Sequence, residues 1–145
     1  MDEAKNIQQA VDNYRNLSKE NIEALRTINA RIQDYVGEWG KLHDNERTES
    51  GVLIMPWVEQ LPLIQDFVSF MYDNKLVIPF DWPHWQKGRN WYALDDDSKY
   101  EKLDIQTALM LLTAVIRNDR FSDGALVNTF ESGAFPKIIQ KLTTI

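Results

Sequence analysis

Two groups of polar and aromatic residues interrupt the apolar pattern of the sequence, and both contain residue types that bind ligands. The first lies near the C-terminus, where residues 117–124 read RNDRFSDG after an apolar run. Guanidinium groups bind anions or pair with carboxylates, and a carboxylate held among them can accept a proton. The group therefore predicts either an anion site or an ion-paired corner between two helices. We favour the ion-paired corner, because networks of ion pairs often serve structure alone.

Arg117 sets the strongest constraint on this first group. It follows the apolar run directly, so we expect its guanidinium to lie near the core. A buried arginine without a carboxylate is unfavourable by several kcal/mol. Candidate partners for Arg117 are Asp119, Glu131 and Asp81.

The second group is aromatic and occupies residues 80–85, FDWPHW. Two tryptophans three residues apart, beside an aspartate and a histidine, are suited to walling a pocket for a planar ligand. Arg89 follows closely and could complement a phosphate or carboxylate. The alternative is that the large side chains fold back as a lid on the core and Arg89 lies at a solvated loop tip. The sequence leaves both interpretations open.

Taken together, the two groups predict a ligand site without naming a reaction. Phosphate-binding and nucleophile motifs are absent from the sequence, so we assign no catalytic residue and expect no cofactor. Whether the protein is an enzyme stays open. No metal site is expected either, since His43 and His84 are the only histidines and Asp95–Asp97 lacks the glycine of a calcium loop. The candidate ligand-binding residues are Asp81, Trp82, Trp85, Arg89, Arg117, Asp119, Arg120 and Glu131.

Composition excludes several classes of protein. There are no cysteines, which excludes disulfide frameworks and thiolate chemistry. The net charge of −6, with acids in excess of bases, argues against nucleic-acid binding. The polar N-terminus is not a secretory signal, and the longest apolar run, at residues 108–116, is too short to span a membrane. We therefore expect a cytoplasmic protein without a membrane partner.

Helical periodicity predicts the elements that must position the two groups. Apolar residues recur every three or four positions through residues 1–40, and Ser18 is a suitable N-cap, which favours two helices over one long helix. Residues 52–55 (VLIM) predict a lone strand or an extended segment packed on the helices. Pro62 opens a further helix, and Asp104 caps the most apolar helix, at residues 105–116.

Residues 75–103 show no clear period and predict a long aromatic-rich loop or a short hairpin. Ser122 or Asp123 is expected to cap the next helix. The predicted fold is all-α, a compact irregular bundle of five to seven helices. We expect one domain over residues 1–145, with a helical N-terminal segment at 1–40 and a core at 52–142.

Three blocks of the sequence resemble a known family. F-D-W-x-x-W at 80–85, R-x-D-R-F-x-x-G at 117–124 and F-x-S-G at 130–133 are similar to the bacterial domain-of-unknown-function family numbered 6508. The resemblance runs from about Val52 to Leu142, and the N-terminal helix is less typical. Because this family is uncharacterised, the resemblance implies no activity. It implies one shared structural plan that includes Asp81, Trp82, Trp85, Arg117, Asp119, Arg120, Gly124 and Gly133.

Two functions are compatible with these patterns. The first is a binding or regulatory module that acts through protein contacts, with the N-terminal helix pairing with an unidentified protein partner or with a second copy. An exposed apolar stripe would support it, and a stripe packed on the protein's own core would weaken it. The alternative is a small-molecule site, possibly catalytic, for an anionic or nucleotide-like ligand between the two groups. Of these two functions, we favour the binding or regulatory module.

Overall fold

The computed structural model describes residues 2–44 and 46–145, and these form seven α-helices and one two-stranded sheet. This confirms the all-α prediction of five to seven helices. None of the described helices is long and apolar enough to cross a membrane. The helices are α1 (Glu3–Arg15), α2 (Lys19–Asp34), α3 (Pro62–Asp73), α4 (Gln86–Ala93), α5 (Ile105–Asn118), α6 (Ala125–Glu131) and α7 (Ala134–Thr144), and the strands are β1 (Gly40–His43) and β2 (Trp57–Gln60).

Helices begin where the sequence has capping residues. The Ser18 hydroxyl accepts a hydrogen bond from the backbone N–H of Asn21 at 3.1 Å, which separates α2 from α1. The Asp104 carboxylate accepts one from the N–H of Thr107 at 2.7 Å and starts α5. Both contacts occupy N–H groups that the helix itself leaves without partners. The division of the N-terminal segment into two helices is therefore confirmed.

Helix α5 lies at the centre of the core, with α1, α6 and α7 packed against it. Eight of its residues are buried, as its almost uniformly apolar sequence predicts. The apolar stripes of α1 and α2 also face this core, where Val11, Leu25 and Ile32 are buried. The stripe predicted to be available for a partner is thus used inside the protein. Self-association through the N-terminal helix stays a prediction without an exposed stripe to support it.

Residues 75–103 are more ordered than a long loop or a hairpin. A 3₁₀ turn at Trp82–His84 leads into α4, and a second 3₁₀ turn occupies Asp97–Tyr100. Helix α4 packs on α5, and the Tyr92 hydroxyl donates to the carbonyl of Leu111 at 3.0 Å. Because α4 has only eight residues, its apolar face is too short to give a visible period in the sequence.

The described part of residues 40–60 forms a hairpin, called the arm below. Strands β1 and β2 pair antiparallel, with Gly40 opposite Gln60 and His43 opposite Trp57. Beyond the strands, the N–H of Ile54 donates to the carbonyl of Glu46 at 2.8 Å. In the run Val52–Met55, Leu53 makes an isolated bridge with Arg47, and the run is neither a strand nor packed on the helices but exposed.

Candidate functional site

Asp119 connects the corner between α5 and α6 to the arm. One carboxylate oxygen accepts a hydrogen bond from the N–H of Leu126 at 3.1 Å, in the first turn of α6. The other accepts from the side-chain amide of Gln60, at the end of β2, at 2.9 Å. Both oxygens thus have partners within the fold, which favours the structural interpretation of this residue over acid–base chemistry.

Asp123 fixes β2 to the same corner. Its carboxylate accepts a hydrogen bond from the N–H of Val58 at 3.1 Å. The prediction that Ser122 or Asp123 caps α6 is therefore wrong. Gly124 occupies the cap position with no side-chain bond, and the capping carboxylate comes from Asp119. The R-x-D-R-F-x-D-G block thus holds the base of the arm through two aspartates.

The predicted ion pairs of Arg117 do not form. No carboxylate in the described part of the chain makes a salt bridge with Arg117 or Arg120. Arg117 is only half-buried, so water can solvate its guanidinium and no buried carboxylate is needed. Glu131 is exposed and lies beside residues 37–42, along a separate cleft. The expectation that arginine–carboxylate ion pairs hold this corner is therefore wrong. Aspartates that accept hydrogen bonds from backbone and side-chain amide groups hold it instead.

The aromatic block does reach α5. Trp82, Trp85 and Arg89 line a cleft of about 180 Å³ together with Asn118 near the C-terminal end of α5. The rings of Trp82 and Phe121 lie 6.0 Å apart, so the two predicted groups meet at this point. The Arg89 guanidinium donates to the carbonyl of Pro83. Remaining lining residues of this aromatic cleft are Gly88, Tyr92, Ala114 and Val115.

Asp81 stands outside the aromatic cleft. Its carboxylate contacts the Nδ1 atom of His84 at 2.9 Å, and both side chains are exposed. Of the eight predicted residues, three therefore share the aromatic cleft and the other five lie elsewhere. At about 180 Å³ the cleft is smaller than the roughly 300 Å³ at which ligand pockets begin, so it would enclose only part of a nucleotide or sugar phosphate.

The tip of the arm exposes four consecutive apolar residues that the sequence patterns did not assign to a site. Val52, Leu53, Ile54 and Met55 are 62%, 55%, 37% and 83% exposed. Trp57 and Leu42, on the two strands, are also exposed. The available signal was an apolar run between Gly51 and Pro56 that directly follows a polar segment. Runs of this kind are unusual on a surface unless they have a function.

A second feature that the sequence patterns did not reveal is the surroundings of His43. Its Nδ1 atom lies 2.5 Å from a carboxylate oxygen of Glu46, and its Nε2 atom lies 2.8 Å from one of Glu59. The Trp57 ring stacks on the imidazole with a centroid distance of 4.2 Å and an interplanar angle of 8°. In the sequence His43 is an isolated histidine, because Glu59 reaches it only through the pairing of β1 with β2.

Electrostatics within this cluster favour a charged imidazole. The hydrogen bond with Glu46 raises the pKa of His43 above its ordinary value, against an opposing effect of desolvation. The same bond lowers the pKa of the Glu46 carboxyl. The two ring nitrogens face different carboxylates, so the three groups do not converge on one metal position. Across residues 2–44 and 46–145, no group of three or more His, Asp or Glu side chains is arranged to hold a metal ion.

Comparison with known proteins gives one match. The model of a family of unknown function, DUF6508, matches residues 17–145. The match is wider than the span from about Val52 to Leu142 that the three blocks indicated, because it also includes α2 and β1, and α1 lies outside it. No curated protein and no solved structure shows significant similarity to the chain. The chain belongs to the DUF6508 family.

Proposed function

We propose that this protein is a binding module that contacts another protein through the apolar run Val52–Met55 at the tip of the arm. The observation that carries the proposal is the exposure of four consecutive apolar residues. Contiguous exposed apolar surface is typical of protein interaction sites. The proposal keeps the predicted function and moves the contact from the N-terminal helix to the arm.

The base of the arm is fixed, which suits an element that presents a surface to a partner. Asp119 and Asp123 bind Gln60 and the backbone of Val58. Gly40 lies so close to α6 that a Cβ atom at this position would be 2.7 Å from a methyl carbon of Val127. A preorganised surface loses less conformational freedom on binding, so more of the contact energy remains as affinity.

Charges around the tip indicate the chemistry of the partner. The arm carries four acids, Asp44, Glu46, Glu49 and Glu59, against Lys41, Arg47 and the imidazole of His43. Acids therefore exceed bases by one even when His43 is charged. An acidic rim around an apolar tip is complementary to an amphipathic segment that carries Lys or Arg beside apolar side chains. A second copy of this chain would present the same acidic rim, so like charges would oppose pairing of two arms. We therefore propose a basic amphipathic segment of a different protein.

A peptide-display selection tests this function even though the partner is unidentified. Selection on the wild-type protein should enrich peptides that combine apolar and basic residues. These should bind the double variant Leu53→Ser, Met55→Ser at least about tenfold more weakly, a loss of about 1.4 kcal/mol. Leu94→Ser is the matched control, because Leu94 is 53% exposed and lies outside the arm. Enriched peptides that bind the double variant as tightly as the wild type would refute the proposal.

The aromatic cleft supports a second candidate function, the binding of a small aromatic anion. Its volume of about 180 Å³ is close to the roughly 150 Å³ cavity that holds benzene, and Arg89 stands at its edge. Thermal melting against a panel of aromatic carboxylates tests this candidate. A rise in melting temperature that is absent in Arg89→Gln would support it. Equal shifts in both proteins, or a flat panel, would count against it.

A further inference from the structure

We propose that His43 is a proton-controlled latch that fixes the tip of the arm to its base and so controls how the apolar run is presented. This inference rests on the proposed function in one respect, namely that the arm is the binding element. The latch itself is a property of the free protein and needs no partner.

The latch consists of groups from three parts of the arm. His43 ends β1, Glu59 lies on β2, and Glu46 lies in the tip beyond the strands. The carbonyl of Glu46 also accepts the hydrogen bond from Ile54, so Glu46 connects the histidine to the apolar run. A neutral imidazole has one N–H, whereas the imidazolium has two. Only the protonated ring can donate to both carboxylates at the same time.

Loss of the proton removes one of these two bonds. The nitrogen that becomes a lone-pair acceptor then faces a carboxylate oxygen at 2.5 Å or 2.8 Å, and the two acceptors repel each other. The stacking of His43 on Trp57 also weakens, because the attraction of a cation for an aromatic face disappears. We expect the tip to separate from the base of the arm in the Nε2–H tautomer, in which the remaining N–H stays with Glu59 and the Nδ1 lone pair faces Glu46.

The groups around His43 set the direction of the pH dependence. Glu46 faces it from the tip, and Glu59 and the Trp57 ring face it from β2. Glu46 is in turn acted on by Lys41 from β1 and accepts a side-chain hydrogen bond from Trp57, which does not depend on the His43 proton. The pKa of His43 is raised by Glu46 first and by Glu59. The latch is therefore closed below the ordinary histidine pKa of about 6.5 and opens as the pH rises through the higher value of the folded protein.

Distance measurement by pulsed electron paramagnetic resonance tests the latch directly. The chain has no cysteines, so spin labels can be placed selectively at Glu49→Cys in the tip and Ser69→Cys on α3. NMR of the imidazole ring first gives the His43 midpoint, and samples are then prepared about one pH unit below and above it. We expect a narrow distance distribution at the lower pH and a broad one at the higher pH.

Two variants make the result specific. In His43→Gln the distribution should no longer depend on pH, whereas His84→Gln, which changes the exposed histidine beside Asp81, should behave as the wild type. A wild-type distribution that is unchanged across the midpoint would overturn the latch, as would a His43 midpoint at or below about 6.5. Line broadening of the Ile54 amide in the unlabelled protein gives the same test without cysteine substitutions. Failure of peptide binding would refute the proposed function and leave this measurement unaffected.

Discussion

Apolar residues of the same types are buried in the helical body and exposed in the arm. Leu112 in α5 is fully buried, whereas Leu53 in the tip of the arm is 55% exposed. In the body, helical periodicity places apolar side chains on faces that other helices cover. In the arm, a two-stranded sheet has too few strands to bury its own apolar side chains. Stability therefore resides in the body, and the exposed run of the arm is available for contact.

The largest expected effect comes from one substitution made in both regions. Leu112→Ala removes a fully buried side chain and should lower the free energy of unfolding by about 2–5 kcal/mol. Leu53→Ala should change it by less than about 0.5 kcal/mol, because the side chain is largely in water. Urea denaturation of both variants measures the difference. Equal losses of unfolding free energy in the two variants would mean that Leu53 is packed like a core residue.

A second prediction concerns the contact between the aromatic block and α4. A Cβ atom on Gly88 would overlap a ring carbon of Trp85, so Gly88→Ala forces the indole to move. We expect a loss of about 1–3 kcal/mol, typical of overpacking, with a change in tryptophan fluorescence. An unchanged melting temperature and emission spectrum would show that Trp85 does not pack on this helix.

A third prediction separates the two charged residues at the joint between body and arm. Asp119→Ala removes the cap of α6 and the bond to Gln60, and should lower the free energy of unfolding by about 1–2 kcal/mol. Arg117→Ala should cost less than about 0.5 kcal/mol, since no described carboxylate pairs with it. If denaturation showed a larger loss of stability for Arg117→Ala than for Asp119→Ala, the result would favour the ion-paired interpretation of this corner.

The smallest predicted effect is a pH dependence within the body. The hydrogen bond from Thr107 lowers the pKa of Asp104 in the folded protein. The contribution of the Asp104 carboxylate to the free energy of unfolding is therefore complete above the ordinary carboxyl pKa of about 3.9. It is lost as the pH falls through the lower pKa of the folded state. At neutral pH, Asp104→Ala should be less stable than wild type by about 1 kcal/mol. That difference should shrink in acid; a difference independent of pH would contradict the capping role.

The sequence predicted the body well because local signals determine it. Ser18 and Asp104 cap helices where expected, and the apolar run of α5 lies at the centre of the core. Helix α4 was not predicted, because an apolar face of eight residues is too short to show a period in the sequence.

The candidate site was predicted less well, since its geometry depends on contacts between distant residues. The aromatic cleft brings together only three of the eight predicted residues, and Asp119 instead binds Gln60, 59 positions away. Glu59 reaches His43 only through the pairing of β1 with β2. The exposure of Val52–Met55 depends on the absence of a covering element among the described residues, and the apolar run alone could not reveal it.

The decisive measurement is the stability of the double variant Leu53→Ser, Met55→Ser, made alongside its affinity for a peptide selected on the wild type. We predict a free energy of unfolding within about 0.5 kcal/mol of the wild type and a dissociation constant at least about tenfold higher. A variant that unfolds more readily but binds the selected peptide with unchanged affinity would contradict a binding role for the tip. In that case the apolar run would serve the fold, and the binding surface would lie elsewhere.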